Sequence, residues 1–79
     1  MEEILREITG FVRRERPDAE GEIEAIPVHE LFDSIAMIDF LTYLERTFGI
    51  RISDADVLPE NFSSLAAVAR LVARKRSAG

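Results

Sequence analysis

Apolar residues recur at helical spacing in three separate stretches of this 79-residue chain. Such spacing is typical of amphipathic helices that bury one face. The first stretch places five apolar residues on one side: Ile4, Leu5, Ile8, Phe11 and Val12. It predicts a helix over residues 2–16, which Pro17 ends because the residue before a proline is pushed out of the helical region.

Residues 17–33 are predicted to form a long loop between the first and second main helices. Gly21 and Pro27 interrupt any regular pattern there. Long loops within small domains are often functional. Several of the residues are apolar, so we expect the loop to lie against the core.

The second main helix is predicted over residues 34–48, with Gly49 ending it as a left-handed C-terminal residue. Successive residues turn by about 100° around a helix. On that basis the core face consists of Met37, Phe40, Leu41, Leu44 and Phe48. Ile35 and Ile38 fall on the opposite side, beside several charged and polar residues. Isolated exposed apolar residues are normal; the alternative, which a serine attachment point one turn away would favour, is a docking surface.

Residues 50–52 are predicted to form a short extended connector. Ser53 and Asp56 have the spacing of a capping box. They predict a brief helical turn over residues 54–58, which Pro59 stops.

The last main helix is predicted to start after a cap at Ser63 or Ser64 and to run to about Arg76. Its inward residues are expected to be Leu65, Val68, Ala69 and Val72. The fold class is therefore all-α, a small bundle of three main helices plus one short helix, with a long loop between helices 1 and 2. We expect a single domain over 1–79, with a core of about 4–74 and a frayed tail over 75–79.

The net charge is −5, and its distribution is uneven. All 15 acids and six basic residues lie in residues 1–60, giving −9, whereas residues 61–79 carry +4. An acidic chain argues against nucleic acid and anionic membranes as partners, since both attract basic surfaces. The basic end fits either a helix C-terminus, where cations are favoured, or a docking site.

The chain has no cysteine, so it has neither disulfides nor a thiolate nucleophile. The acidic start differs from a secretory signal, and no apolar stretch is long enough to span a bilayer. We therefore expect a cytoplasmic location. We also expect the chain to be a monomer.

Asp33 and Ser34 stand at the predicted start of the second helix. Helix N-termini carry free N–H groups and a partial positive charge, which favour an anion such as a phosphodiester. An exposed serine at the first position suits phosphate attachment. The alternative is that Asp33 or Ser34 is only an N-cap, a position that both residue types favour.

The stretch over residues 31–50 resembles the freestanding acyl and peptidyl carrier proteins, which bear a 4′-phosphopantetheine arm. It contains Asp33-Ser34-Ile35, a helix-forming run and Phe48-Gly49-Ile50. Asp54 and residues 59–65 are similar to the family's third helix and the entry to its fourth. The resemblance extends over residues 4–74.

The resemblance implies that a phosphopantetheinyl transferase attaches the arm of coenzyme A to Ser34. The arm's thiol would hold thioesters, loaded by an acyl- or aminoacyl-loading enzyme and used by downstream synthase, condensing or tailoring enzymes. No catalysis by the chain itself is implied. The surface read by partners would consist of Asp33, Ile35, Ile38, Asp39, Thr42 and Glu45.

Three residues depart from the family pattern. Phe32 stands where a glycine is common, and Ala36 and Arg46 stand where many fatty-acid carriers have acids. The second helix is therefore less acidic than in those carriers. This favours specialised biosynthesis, of polyketide or nonribosomal-peptide type, over primary fatty-acid synthesis.

Other groups of polar residues indicate no catalytic centre. His29 is the single histidine and is expected to pack near the second helix. Asp54, Asp56 and Glu60 lack the spacing of a calcium loop. The alternative to a carrier is an unmodified helical interaction domain that uses Ile35, Ile38 and Asp39.

Overall fold

Helices account for most of the chain in the computed structural model, which describes residues 2–19 and 21–78. The α-helices are α1 (Glu2–Glu15), α2 (Val28–Leu31), α3 (Ser34–Phe48) and α4 (Leu65–Ala78). Turns of 3₁₀-helix lie at Ile23–Ala25, Asp54–Asp56 and Pro59–Phe62. These described residues contain no strand, which confirms the predicted all-α class. None of their helices combines the length and hydropathy needed to cross a membrane.

The hydrophobic core is built from the inward faces of α1, α3 and α4. Burial of these apolar side chains is the main favourable contribution to folding. The predicted inward residues of α4 are all buried, and so are Phe40 and Leu44 of α3. Met37, Leu41 and Phe48 pack against this core but remain partly exposed. The helical periodicity therefore located the core face correctly.

Aromatic stacking joins α1 to α3. The ring centroids of Phe11 and Tyr43 are 3.9 Å apart, and Phe40 lies 6.0 Å from Phe11. The Tyr43 hydroxyl also donates a hydrogen bond to the backbone carbonyl of Glu7 at 3.0 Å. Each aromatic pair stabilises a fold by about 0.5–1.5 kcal/mol beyond its buried area, so these contacts help to fix α3 against α1.

The segment over residues 17–33 is more regular than the predicted loop. It contains the 3₁₀ turn Ile23–Ala25 and the single-turn helix α2. Ile23 and Val28 are fully buried within it. Backbone N–H and C=O groups beside buried side chains need hydrogen-bond partners, and these two turns provide them.

The segment between α3 and α4 begins with the predicted left-handed glycine, since Gly49 has φ of 64°. The capping box between Ser53 and Asp56 is also present. The short helix predicted over residues 54–58 is instead a 3₁₀ turn, Asp54–Asp56. Pro59, expected only to stop that turn, begins the next one at Pro59–Phe62, because its fixed φ suits a first helical position.

Ser64 is the residue that caps α4. Its hydroxyl accepts a hydrogen bond from the Ala67 N–H at 3.1 Å, whereas the Ser63 hydroxyl donates to the carbonyl of Glu60. The helix continues to Ala78, two residues beyond the predicted end. Of the tail that was expected to fray, residues 75–78 are helical and residue 79 lies outside the described residues. The single-domain limits stay a prediction.

Candidate functional site

The start of α3 is capped by Asp33. Its carboxylate oxygen Oδ1 accepts a hydrogen bond from the Ala36 N–H at 2.8 Å, and its backbone is extended. The Met37 N–H donates to the Asp33 carbonyl. Such a cap contributes about 1 kcal/mol to helix stability. Asp33 is therefore the N-cap, and Ser34 is the first residue of the helix.

Ser34 is exposed, and its hydroxyl forms no hydrogen bond with any residue that the structure describes. The backbone N–H groups of Ser34 and Ile35 also have no protein acceptor among those residues. Free N–H groups at a helix start attract anions. The position therefore combines an accessible oxygen with an environment that suits a phosphodiester.

Phe32 lies in the core, two residues before Ser34. Its side chain is only 6% exposed, and its ring centroid is 5.0 Å from that of Phe40. The residue that departs from the family's usual glycine is therefore not on the accessible surface. It fixes the chain just before the cap.

Most of the predicted recognition residues share the outer face of α3. Ile35 is 76% exposed and Ile38 64% exposed, and the two are neighbours on the helix surface because they stand three residues apart. Asp39 and Thr42 are also exposed. Asp33, the N-cap, and Ser34, the first helical residue, lie at the N-terminal end of the same helix, where the sequence predicted the helix to start.

Glu45 differs from the other predicted recognition residues because it is only half-exposed. Its carboxylate oxygen Oε2 accepts a hydrogen bond from the Ile52 N–H at 2.9 Å. This contact ties α3 to the connector that follows it. The helical phase placed Glu45 on the same outer side as Asp39 and Thr42. Sequence reasoning missed its contact with Ile52, because that contact depends on where residues 50–52 fold back.

An apolar cavity of about 470 Å³ lies beside α3. Met37 lines it together with His29, Leu58 and Phe62. His29 thus lies near α3, as expected from the sequence, although it belongs to α2 and not to a loop. It is exposed and forms no hydrogen bond with the described side chains.

Asp56, one of the three neighbouring acids, has structural partners. Lys75 Nζ lies 2.7 Å from Asp56 Oδ2. This hydrogen bond and that from the Ser53 N–H lower the pKa of the Asp56 carboxyl to about 2. In the described part of the chain, no three His, Cys, Asp or Glu side chains are grouped as metal ligands would be.

These features define a small all-α domain that presents one serine hydroxyl at a helix start beside an exposed apolar and acidic face. The family model for the phosphopantetheine attachment site matches residues 29–72, which is more than half of the chain. The chain therefore belongs to this family, that of the acyl and peptidyl carrier proteins. No curated protein and no solved structure matches it.

Family membership defines the cofactor and the general role. The cofactor is covalently bound 4′-phosphopantetheine. Domains of this family are generally non-catalytic carriers that interact with a phosphopantetheinyl transferase and with biosynthetic enzymes. The matched residues include α3 and Ser34, whose accessible hydroxyl fits such an attachment.

Proposed function

We propose that Ser34 carries the 4′-phosphopantetheine arm, and that the chain delivers acyl or aminoacyl groups to partner enzymes of specialised biosynthesis. The observation that supports attachment at this residue is the state of the Ser34 hydroxyl. It is exposed at the first position of α3, and it forms no hydrogen bond to the described residues. It lies within the residues that match the family.

The other serines in the matched residues have hydrogen-bonded hydroxyls, which supports the choice of Ser34. Ser53 donates to the carboxylate of Asp56 within the capping box. Ser63 donates to a backbone carbonyl, and Ser64 caps α4. Modification of any of these would disrupt a local contact, whereas modification of Ser34 leaves the cap at Asp33 in place.

The attachment reaction balances with coenzyme A as the donor. The Ser34 oxygen forms a bond to the phosphorus that bears the pantetheine, and the pyrophosphate bond breaks. Adenosine 3′,5′-bisphosphate leaves, and the transferase accepts the hydroxyl proton. When bound, the arm supplies a thiol that holds cargo as thioesters.

The role of the chain in later steps is to bring that cargo to each enzyme. A tether raises the effective concentration of its cargo near a docked active site. We propose that partners read the surface formed by Asp33, Ile35, Ile38, Asp39, Thr42 and Glu45. Docking on it is expected to be transient, because one carrier must leave each enzyme to meet the next.

The exposed residues of α3 support specialised biosynthesis over primary fatty-acid synthesis. Many fatty-acid carriers have acids at the positions of Ala36 and Arg46, and here the latter is an exposed cation. An enzyme adapted to a strongly acidic helix would lose part of its charge complementarity. Partners of this chain are therefore expected to rely more on Ile35 and Ile38.

The test of attachment is the intact mass of the protein after incubation with coenzyme A and a broad-specificity phosphopantetheinyl transferase. We expect the wild type to gain one phosphopantetheine and Ser34→Ala to gain none. Ser63→Ala, which removes another exposed serine hydroxyl of the matched region, is the control and should be modified like the wild type.

Two results would count against the proposal. Modification of Ser34→Ala would place the arm elsewhere. A folded wild type that two different transferases leave unmodified would favour the alternative, an unmodified interaction domain that uses Ile35, Ile38 and Asp39. In that case Ser34→Ala would leave partner binding unchanged.

A further inference from the structure

The side chain of Arg16, just after the end of α1, reaches across the long connection that follows. Its Nε and Nη2 donate to the two carboxylate oxygens of Asp18 at 3.1 and 3.0 Å. Its third nitrogen, Nη1, donates to the backbone carbonyl of Leu31. The hydrogen bonds from Arg16 lower the pKa of the Asp18 carboxyl.

The Leu31 carbonyl is the last of α2 and lies three residues before Ser34. Carbonyls in the last turn of a helix have no partner within the helix, and Arg16 supplies one. The planar guanidinium suits this arrangement, because Nε and Nη2 bind the carboxylate in a bidentate manner while Nη1 remains free to donate to the Leu31 carbonyl. Asp18 thus orients Arg16, and Arg16 holds Leu31.

Three consecutive residues before Ser34 are therefore held by three different contacts. Leu31 is bound through its carbonyl by Arg16. Phe32 is buried against Phe40. Asp33 caps α3 through the Ala36 N–H. Of the three, the contact with Arg16 is the one that comes from a distant part of the chain, 15 residues away.

We infer that Arg16, oriented by Asp18, is a positioning residue that holds the turn before Ser34 in the conformation that a phosphopantetheinyl transferase accepts. This inference rests on the proposed attachment at Ser34. Arg16 takes no part in the transfer itself. It acts on Ser34 through the backbone of residues 31–33.

The expected kinetic effect follows from conformational populations. Without the contact from Arg16, the turn occupies its competent conformation for a smaller fraction of the time. The apparent affinity of a partner equals its affinity for the competent conformation multiplied by that fraction. A smaller fraction therefore raises the KM of the transferase for the protein. The kcat stays the same, because the docked complex is the same once formed.

The test compares Arg16→Gln and Asp18→Asn with the wild type in steady-state transfer from coenzyme A. We expect Arg16→Gln to raise KM on the order of 5-fold with kcat unchanged, the change that follows when the competent fraction falls by the same factor. Asp18→Asn keeps the guanidinium but loses its ionised partner, and we expect a smaller rise in KM.

Lys75→Gln is the matched control, because it removes the Lys75–Asp56 ion pair in another part of the fold. It should leave KM unchanged. Amide hydrogen exchange provides a second readout. Arg16→Gln should speed exchange at the Phe32 N–H, which donates to Val28, whereas Lys75→Gln should speed exchange at the Asp56 N–H, which donates to Ser53.

The outcomes separate this inference from the attachment proposal. A wild type that gains no phosphopantetheine, or a modified Ser34→Ala, contradicts the attachment. A modified wild type together with an unchanged KM in a folded Arg16→Gln overturns the role of Arg16. If Arg16→Gln does not fold, an unchanged KM in Asp18→Asn overturns it instead.

Discussion

Asp33 and Ser34 are adjacent polar residues with different roles. Their different backbone conformations explain this difference. The extended backbone of Asp33 lets its carboxylate reach the Ala36 N–H. Ser34 already has helical geometry, and its exposed hydroxyl forms no hydrogen bond to the described residues. The cap therefore does not depend on the serine, which leaves the hydroxyl available for modification.

Phe32 provides a test of how the turn before Ser34 is fixed. Replacing a buried phenylalanine by alanine removes apolar contacts and leaves a cavity, at a cost of about 3–5 kcal/mol. We expect this loss in the free energy of unfolding of Phe32→Ala, measured by urea denaturation. Ile35→Ala is the control, since its side chain is 76% exposed and surface changes usually stay within about 0.5 kcal/mol. Equal effects of the two variants would contradict the burial of Phe32.

At the scale of the element, α3 has two faces with separate roles. Phe40 and Leu44 are fully buried and fix the helix to the core. Ile35, Ile38 and Asp39 are exposed on the other side. Because the inner face is held by the core, changes on the outer face should affect partners without changing the fold.

Reversal of the charge at Asp39 tests the outer face as a docking surface. Charges at the rim of an interface act mainly on the association rate. We expect Asp39→Lys to raise the transferase KM on the order of 10-fold at low salt, the lower end of the range for electrostatic steering. The effect should shrink as salt is added, because exposed charges are screened.

The matched control is Glu15→Lys, which makes the same change in net charge at the exposed end of α1. Circular dichroism should show equal helicity in both variants. An equal rise in KM for both would mean that only the net charge matters, and would remove the support for α3 as the docking surface.

At the scale of the whole molecule, the basic residues near the C-terminus connect α4 to neighbouring segments. Lys75 pairs with Asp56, and Arg74 donates to the side chain of Asn61 at 3.1 Å. The guanidinium carbon of Arg76 lies 6.0 Å from the ring centre of Phe48. These contacts give three of the four basic residues a partner within the molecule. They favour a structural role over a docking site for partners.

The pair of Asp56 and Lys75 predicts how stability depends on pH. The pKa of Asp56 falls from 3.8 to about 2 in the folded chain. A carboxyl with a depressed pKa stabilises the fold above its unfolded pKa, and this contribution is lost as pH falls through the folded value. The loss should therefore occur between about pH 4 and pH 2.

Urea denaturation at several pH values measures this contribution. Asp56→Asn and Lys75→Met should each lose less unfolding free energy than the wild type over that acid range. The double variant should resemble Asp56→Asn, because neither retains the Asp56 carboxyl, whereas Lys75→Met keeps the part of the pKa shift that comes from the Ser53 N–H. A wild-type pH dependence in Asp56→Asn would show that the pair contributes nothing measurable.

Local signals in the sequence determined the main helices and the candidate site. Helical spacing, Asp33 before α3 and Gly49 after it act within a few residues, so they predicted the bounds of α3 correctly. The helical phase also identified Ile35 and Ile38 as exposed. The carrier family followed from the same stretch and was confirmed by the family match.

The contacts that support the site were decided only by the tertiary structure. Arg16 reaches Leu31, Glu45 binds the Ile52 N–H, and Lys75 pairs with Asp56 across 19 residues of chain. The regular turns within residues 17–33 likewise depend on burial of Ile23 against other elements. Local propensity and periodicity act over a few neighbouring residues, whereas these contacts depend on how the packed core brings distant segments together.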